Sequence, residues 1–170
     1  AIYDQKELGS CTANAIGAAY EFDEIKQNEN NVFIPSRLFI YYNERQMENT
    51  TDSDSGASIR DGVKTINKFG VCPEKSWPYD IDKFTVKPND NCYKEAKNHI
   101  SVSYKKLEQT LFDMKCCLSE GYPFIFGFTV FESFESDNIS KTGIMSMPID
   151  NESSLGCLLY TSDAADDTPC

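Results

Sequence analysis

The segment GSCTANAIGAA, residues 9–19, constrains this chain more than any other. Ser10 can cap a helix beginning at Cys11, because a short hydroxyl side chain can take a free N–H at a helix start. Cys11, Ala15, Ala18, Phe22 and Ile25 recur at three- and four-residue steps, which gives one apolar stripe. Ala13, Ala15, Gly17, Ala18 and Ala19 keep the first turns slim. So slim a helix can lie close against neighbouring backbone, and it is expected at the centre of the fold. It is expected to end in the polar run 27–31.

Pro35-Ser36 opens a second helix with Leu38, Phe39, Tyr41 and Tyr42 as its apolar members. Residues 48–58 are rich in Thr, Ser, Asp and Gly and read as a loop. Ile59, Val63 and Ile66 share one face of a third helix, with Gly70 as its stop. A short helix is expected from Cys92 to Asn98, after an irregular stretch containing Trp77-Pro78-Tyr79 and Pro88. The pattern changes near His99. Ile100, Val102 and Tyr104 alternate with Ser101, Ser103 and Lys105, which reads as a strand. Leu107, Leu111, Met114 and Leu118 mark another helix, stopped at Gly121, and Pro123 to Val130 reads as a buried strand. Helices first and strands later indicate an α+β fold, and 170 residues suit one domain.

The net charge is −11 and no Lys/Arg cluster is present, so nucleic acid and anionic membrane are not expected partners. No stretch is apolar enough for a membrane helix, and no targeting leader is visible, which leaves the compartment open. The seven cysteines are irregularly spaced and form no C-x-x-C pair, so neither a metal nor another cofactor is expected. Cys116 and Cys117 read as half-buried thiols. Cys72 and Cys92 could pair in an oxidising compartment, and the sequence does not decide whether they do.

The chemistry concentrates between Asp4 and Ala15. A cysteine nucleophile needs a stabilised thiolate, exposure, and a nearby donor for the oxyanion. A helix N-terminus supplies the first through its free N–H groups and dipole. Gly9-Ser10 lets backbone come close to a substrate. Gln5 carries an amide that can complete an oxyanion hole with the Cys11 N–H. On local chemistry alone, Cys11 could equally be a structural cysteine at a helix start.

The Gln5…Gly9-Ser10-Cys11 spacing resembles the active-site signature of papain-like cysteine peptidases (clan CA, family C1), in a microbial and viral branch. PSRLFIYYNER, DSGASIRDGV, GVCPEKSWPYD and GYPFIFGFTVFESF are similar to segments of that branch, in its usual order, across Tyr3 to Gly156. Three positions depart from common relatives. Leu8 stands where many have a disulfide cysteine, Thr12 where Trp is usual, and Lys6 where Gly commonly follows the glutamine. The resemblance implies a papain-like fold, with a nearly complete helical lobe at about 1–98 and the start of a β lobe at about 99–156. It implies Cys11 as nucleophile, Gln5 in the oxyanion hole, and Ser55, Gly56 and Ala57 along a cleft that pairs with substrate backbone. It further implies a peptide or protein substrate and the possibility of an inhibitory pro-region in the parent protein.

The family also needs a histidine base, about 130–150 residues after the cysteine, and an asparagine to orient it. The single histidine is His99, which comes too early and reads as a strand-edge residue. Leu155-Gly156 resembles the approach to the family's histidine, but Cys157 to Cys170 (CLLYTSDAADDTPC) resembles a translated sequencing adapter. Residues 157–170 are therefore set apart as an expected non-native tail. The chain is expected to be an inactive fragment of a cysteine endopeptidase, with a strand left short of partners. The alternatives are a catalytically dead papain-like module that binds peptides or a partner, and a cysteine acyltransferase or amidase on a related scaffold.

Overall fold

Ser36 begins a helix as expected, and Ser58 begins the next, each accepting a main-chain N–H three residues on, from Phe39 and Asp61. The structure is a computed structural model and describes residues 3–27, 32–101 and 103–162. Its helices are α1 (Cys11–Lys26), α2 (Arg37–Glu48), α3 (Ile59–Phe69), α4 (Asp90–Ala96), α5 (Leu111–Ser119) and α6 (Asp137–Thr142). Two strands, β1 (Phe124–Phe131) and β2 (Ser154–Ser162), pair antiparallel with Thr129 opposite Cys157, and the register shifts between Val130 and Phe131. The protein is α+β.

The core lies where α1, α2 and α3 meet. Leu8, Ala13, Ile16, Leu38, Ile40, Tyr41, Ile66 and Val71 form one buried cluster. Phe39, Cys72, Cys92 and Ala96 form a second beneath α4. Each fully buried large aliphatic or aromatic side chain contributes roughly 1.5–3 kcal/mol, so α2, with Leu38 through Tyr41 buried in succession, is the best-anchored element. Gly70 ends α3 at φ +75°, and a Cβ there would stand 1.8 Å from the Ala96 carbonyl oxygen. Only glycine allows the chain to turn that close to α4.

Four expectations need correction. Ser10 sits at the N-cap of α1, but its hydroxyl makes no capping bond. Tyr79 Oη and Asn14 Nδ2 engage it instead. The apolar stripe on α1 is only partly buried. Residues 12–17 are buried or nearly so around the helix, while Ile25 is exposed, because α2 and α3 pack on one side of α1 and β2 on another. The alternating residues after His99 form no strand, and Val102 lies outside the described residues. Among the described residues, no strand runs alongside to complete a ladder there. The segment is tied instead to α3 and its end, by Val71 N–H to the His99 carbonyl (3.1 Å) and Asn67 Nδ2 to the Ser101 carbonyl (2.8 Å). Finally, the Phe-rich strand is half-buried rather than buried, with only Val130 enclosed.

The two-stranded sheet leaves apolar surface uncovered. Phe112 is 75% exposed and Met147 86%, with Leu111, Ile144 and Ile149 also open. Of the stretch set apart as a tail, residues 157–162 complete β2, and 163–170 lie outside the described residues, as do 28–31 of the polar run. Strand pairing uses main-chain groups that every residue type except proline carries in full, so it is indifferent to the origin of the stretch.

Candidate active site

The turn from Asp4 to Ser10 is shaped by main-chain bonds and four borrowed side chains. Leu8 N–H reaches the Gln5 carbonyl (3.4 Å), and Ser10 N–H reaches the Leu8 carbonyl (2.7 Å). Lys6 adopts φ +53°, its N–H held by Asp4 Oδ1 at 2.8 Å. A left-handed conformation costs a residue with a Cβ about 1–2 kcal/mol, which explains physically why glycine suits this position. Lys6→Gly is expected to stabilise the protein by about 0.5–1 kcal/mol, after glycine's own entropy cost. A higher urea midpoint with an unchanged m value would register it.

Tyr79 donates its hydroxyl to the Gln5 carbonyl at 2.9 Å and meets the Ser10 hydroxyl on the same oxygen. Asn14, one turn into α1, donates to the carbonyl (2.9 Å) and hydroxyl (3.0 Å) of Ser10. Arg37 reinforces both. It stacks on Tyr79 and Tyr3, donates to Asn14 Oδ1 and the Asp4 carbonyl at 3.1 Å each, and pairs with Glu74 at 3.0 Å. Asp54 closes the other side. Its carboxylate accepts Gly9 N–H at 2.9 and 3.0 Å and the Tyr41 hydroxyl.

Cys11 is the first residue of α1 and is half-buried. Gln5 is half-buried in the same turn, with Nε2 3.2 Å from the Leu8 carbonyl, which leaves the second amide N–H unused by that bond. Ser55, Gly56 and Ala57 run beside this turn. Gly56 N–H donates to Tyr41 Oη (3.2 Å), and Ser55 Oγ bonds Thr50 Oγ1 (2.9 Å). Asp54 and Tyr41 thus join the 55–57 loop to the Gly9–Cys11 turn. His99 lies elsewhere, edge-on to Phe33 with ring centroids 4.5 Å apart. Next to Cys11 stands β2, with the Leu159 backbone bonding its sulfur and Cys157 near enough to disfavour its ionisation.

The electrostatics favour the neutral thiol. Burial pushes the Cys11 pKa up, and Glu44 and Cys157 add to the shift against the backbone bonds from Leu159 and Thr12. Glu44 lies behind the nucleophile turn, fully buried on α2. Thr12 Oγ1 donates to its Oε1 at 2.5 Å, while Oε2 has no partner. Burial raises the Glu44 pKa to about 8, so the carboxyl is mostly protonated at neutral pH. Gly62 makes this packing possible, since a Cβ there would fall 2.6 Å from Glu44 Oε2 and 2.3 Å from Ile16 Cδ1.

The sequence reading missed Asp54, Tyr79, Asn14, Arg37 and Glu44. Asp54 and Tyr79 had no local signal beyond an acidic residue in a polar loop and a tyrosine after a proline.

No family model matches the chain. It is 54% identical, over 161 aligned residues covering 90% of its length, to an uncharacterized peptidase C1-like protein of Acanthamoeba polyphaga mimivirus. The chain spans about half (52%) of that relative's length. Among solved structures it matches xylellain, a cysteine protease from Xylella fastidiosa, with a TM-score of 0.84 and 40% identity. That match covers 96% of this chain and 67% of that one. A helical part followed by part of a β region is therefore shared with a known protease fold.

Proposed function

Since the chain belongs to the papain-like (C1) family of cysteine peptidases, we propose that it carries the nucleophilic half of a peptide-bond hydrolase of the endopeptidase type. Cys11 attacks the substrate carbonyl carbon and forms an acyl-enzyme, which water then releases. The Cys11 N–H and the Gln5 amide stabilise the oxyanion, and Ser55, Gly56 and Ala57 line the path of the substrate backbone. The observation that carries this reading is half-buried Cys11 at the mouth of α1, directly after a turn that Tyr79 holds at Gln5 and Asp54 holds at Gly9. The 170 residues contain one histidine, packed on Phe33, so Cys11 has neither a general base nor an imidazolium to hold its thiolate. The chain as it stands is therefore proposed to be inactive.

The test compares this chain with a version extended by a Gly-His strand and a downstream asparagine. The first is expected to cleave neither unfolded protein nor fluorogenic peptides, and its Cys11 should alkylate slowly at pH 7. That alkylation should quicken about tenfold per pH unit, because only the thiolate reacts and its pKa is raised. The second should gain activity, lose it entirely in Cys11→Ala, and lose about 100- to 1000-fold in kcat in Gln5→Ala. Turnover that survives Cys11→Ala would overturn the mechanism.

A further inference from the structure

Cys72 and Cys92 are the two most enclosed thiols among the described residues, at 0% and 1% exposure. They belong to the second core cluster, walled by Phe39 and Ala96, with Phe69, Trp77 and Tyr93 against it. The Cys72 thiol donates toward Cys92 Sγ. Cys92 Sγ also lies 3.5 Å from the Ser76 carbonyl oxygen, and the Cys72 carbonyl accepts Ser36 N–H at 2.8 Å. Shared membership of one enclosed cluster, with one thiol bonding the other, places the two sulfurs within reach of each other. Side-chain rotation can close that separation into a bond, whereas sulfurs on diverging vectors would need the backbone to move. The remaining described cysteines lie on other elements, and no group of three or more possible metal ligands occurs among the described residues.

We propose that Cys72 and Cys92 are a disulfide-forming pair that staples the start of the 72–79 segment to α4. The location gives the bond a purpose. Cys72 leads into the stretch that carries Tyr79 to the Gln5 turn, and Ser76 Oγ bonds Glu95 of α4 at 2.6 Å. A covalent tie here holds the base of the arm that supports the Gln5 turn. The inference does not depend on the peptidase reading.

The oxidant is a small-molecule disulfide such as glutathione disulfide. One cysteine thiolate attacks a glutathione sulfur, the glutathione S–S bond breaks, and one glutathione leaves as thiol. The other cysteine then attacks the mixed disulfide and expels the second glutathione. Two protein thiols lose two electrons and two protons in all, and the glutathione disulfide takes up both as two thiols. Burial raises the pKa of both cysteines, so the exchange runs while α4 is undocked, during folding or local opening.

The test equilibrates the full chain in urea, dilutes it into a glutathione redox buffer, blocks free thiols, and maps tryptic peptides without reduction. Lys75, Lys83 and Lys87 separate the two cysteines, so the bond appears as two joined peptides two hydrogens lighter than the pair. The expected result is a dominant Cys72–Cys92 link that dithiothreitol reduces at least tenfold faster in urea than under native conditions. Oxidation should raise Tm by about 5–10 °C, and this rise should vanish in Cys72→Ala. Blocked, unlinked Cys72 and Cys92 after equilibration would overturn the proposal, as would a dominant link between any other pair. The mapping uses the natural sequence, so it decides the matter even if Cys72→Ala fails to fold.

Discussion

Replacing Arg45 with alanine is expected to lower the unfolding free energy by about 3–5 kcal/mol, enough to unfold much of the helical region at 37 °C. Arg45 is fully buried. Its Nε donates to the Tyr41 carbonyl (3.2 Å), Nη1 donates to the carbonyls of Thr51 (3.0 Å) and Ser53 (2.9 Å), and Nη2 reaches the Phe84 carbonyl. Tyr41 and Phe84 lie under and beside the guanidinium plane. Truncation leaves an empty space and strips buried carbonyls of their donors, two costs that add. Arg45→Lys should recover little, since one ammonium cannot serve three directions in a plane. Chemical denaturation followed by far-UV circular dichroism measures both. A loss below about 1 kcal/mol for Arg45→Ala would mean that water replaces the guanidinium without penalty.

Glu44→Gln is expected to reverse its effect with pH. At pH 3 the wild-type carboxyl is protonated in both folded and unfolded chains, or nearly so. There the variant should be less stable by about 1–2 kcal/mol, because its buried amide N–H groups find no acceptor where Oε2 had no partner. As pH rises past the ordinary glutamate range, the unfolded chain releases its proton while the folded chain keeps it, up to about pH 8. The folded state then binds more protons than the unfolded one, so wild-type stability falls through this window. Glutamine does not titrate. The difference between the two proteins should therefore shift by about 4 kcal/mol in the variant's favour between pH 3 and 8. Glu48 opposes ionisation of Glu44 from the same helix, Arg45 favours it, and Thr12 from α1 bonds the carboxyl; the swap leaves all three in place. Parallel stability curves would show that Glu44 stays ionised in the folded protein.

What could be read in the sequence was whatever depends on neighbours along the chain. The serine that begins α2, Gly70 as a stop, and the spacing of Gln5 and Cys11 in one turn all follow from interactions within a few residues. The failures share the opposite character. Ser10 was expected to cap its own helix, but Tyr79, 69 residues away, competes for the hydroxyl. The 100–104 stretch has a strand's alternation, but alternation describes a face and not a partner, and a ladder needs both. Asn43, Glu44 and Arg45 follow the apolar part of α2 and read as its wet end, yet all three are fully buried. Their burial is tolerable only because Tyr93, Thr12 and the carbonyls of distant loops receive them, and no periodicity can show that.

The Asp54 carboxylate has a consequence for anyone reshaping the 48–58 loop. One side chain serves as hinge pin for two pieces of backbone, so the loop is not an independent module that can be exchanged at will. Even the exposed crest is tied down, because the Ser53 carbonyl receives buried Arg45. A graft that replaces residues 54–56 would release the Gly9 amide at the same stroke, and with it the aim of the sulfur two residues further on.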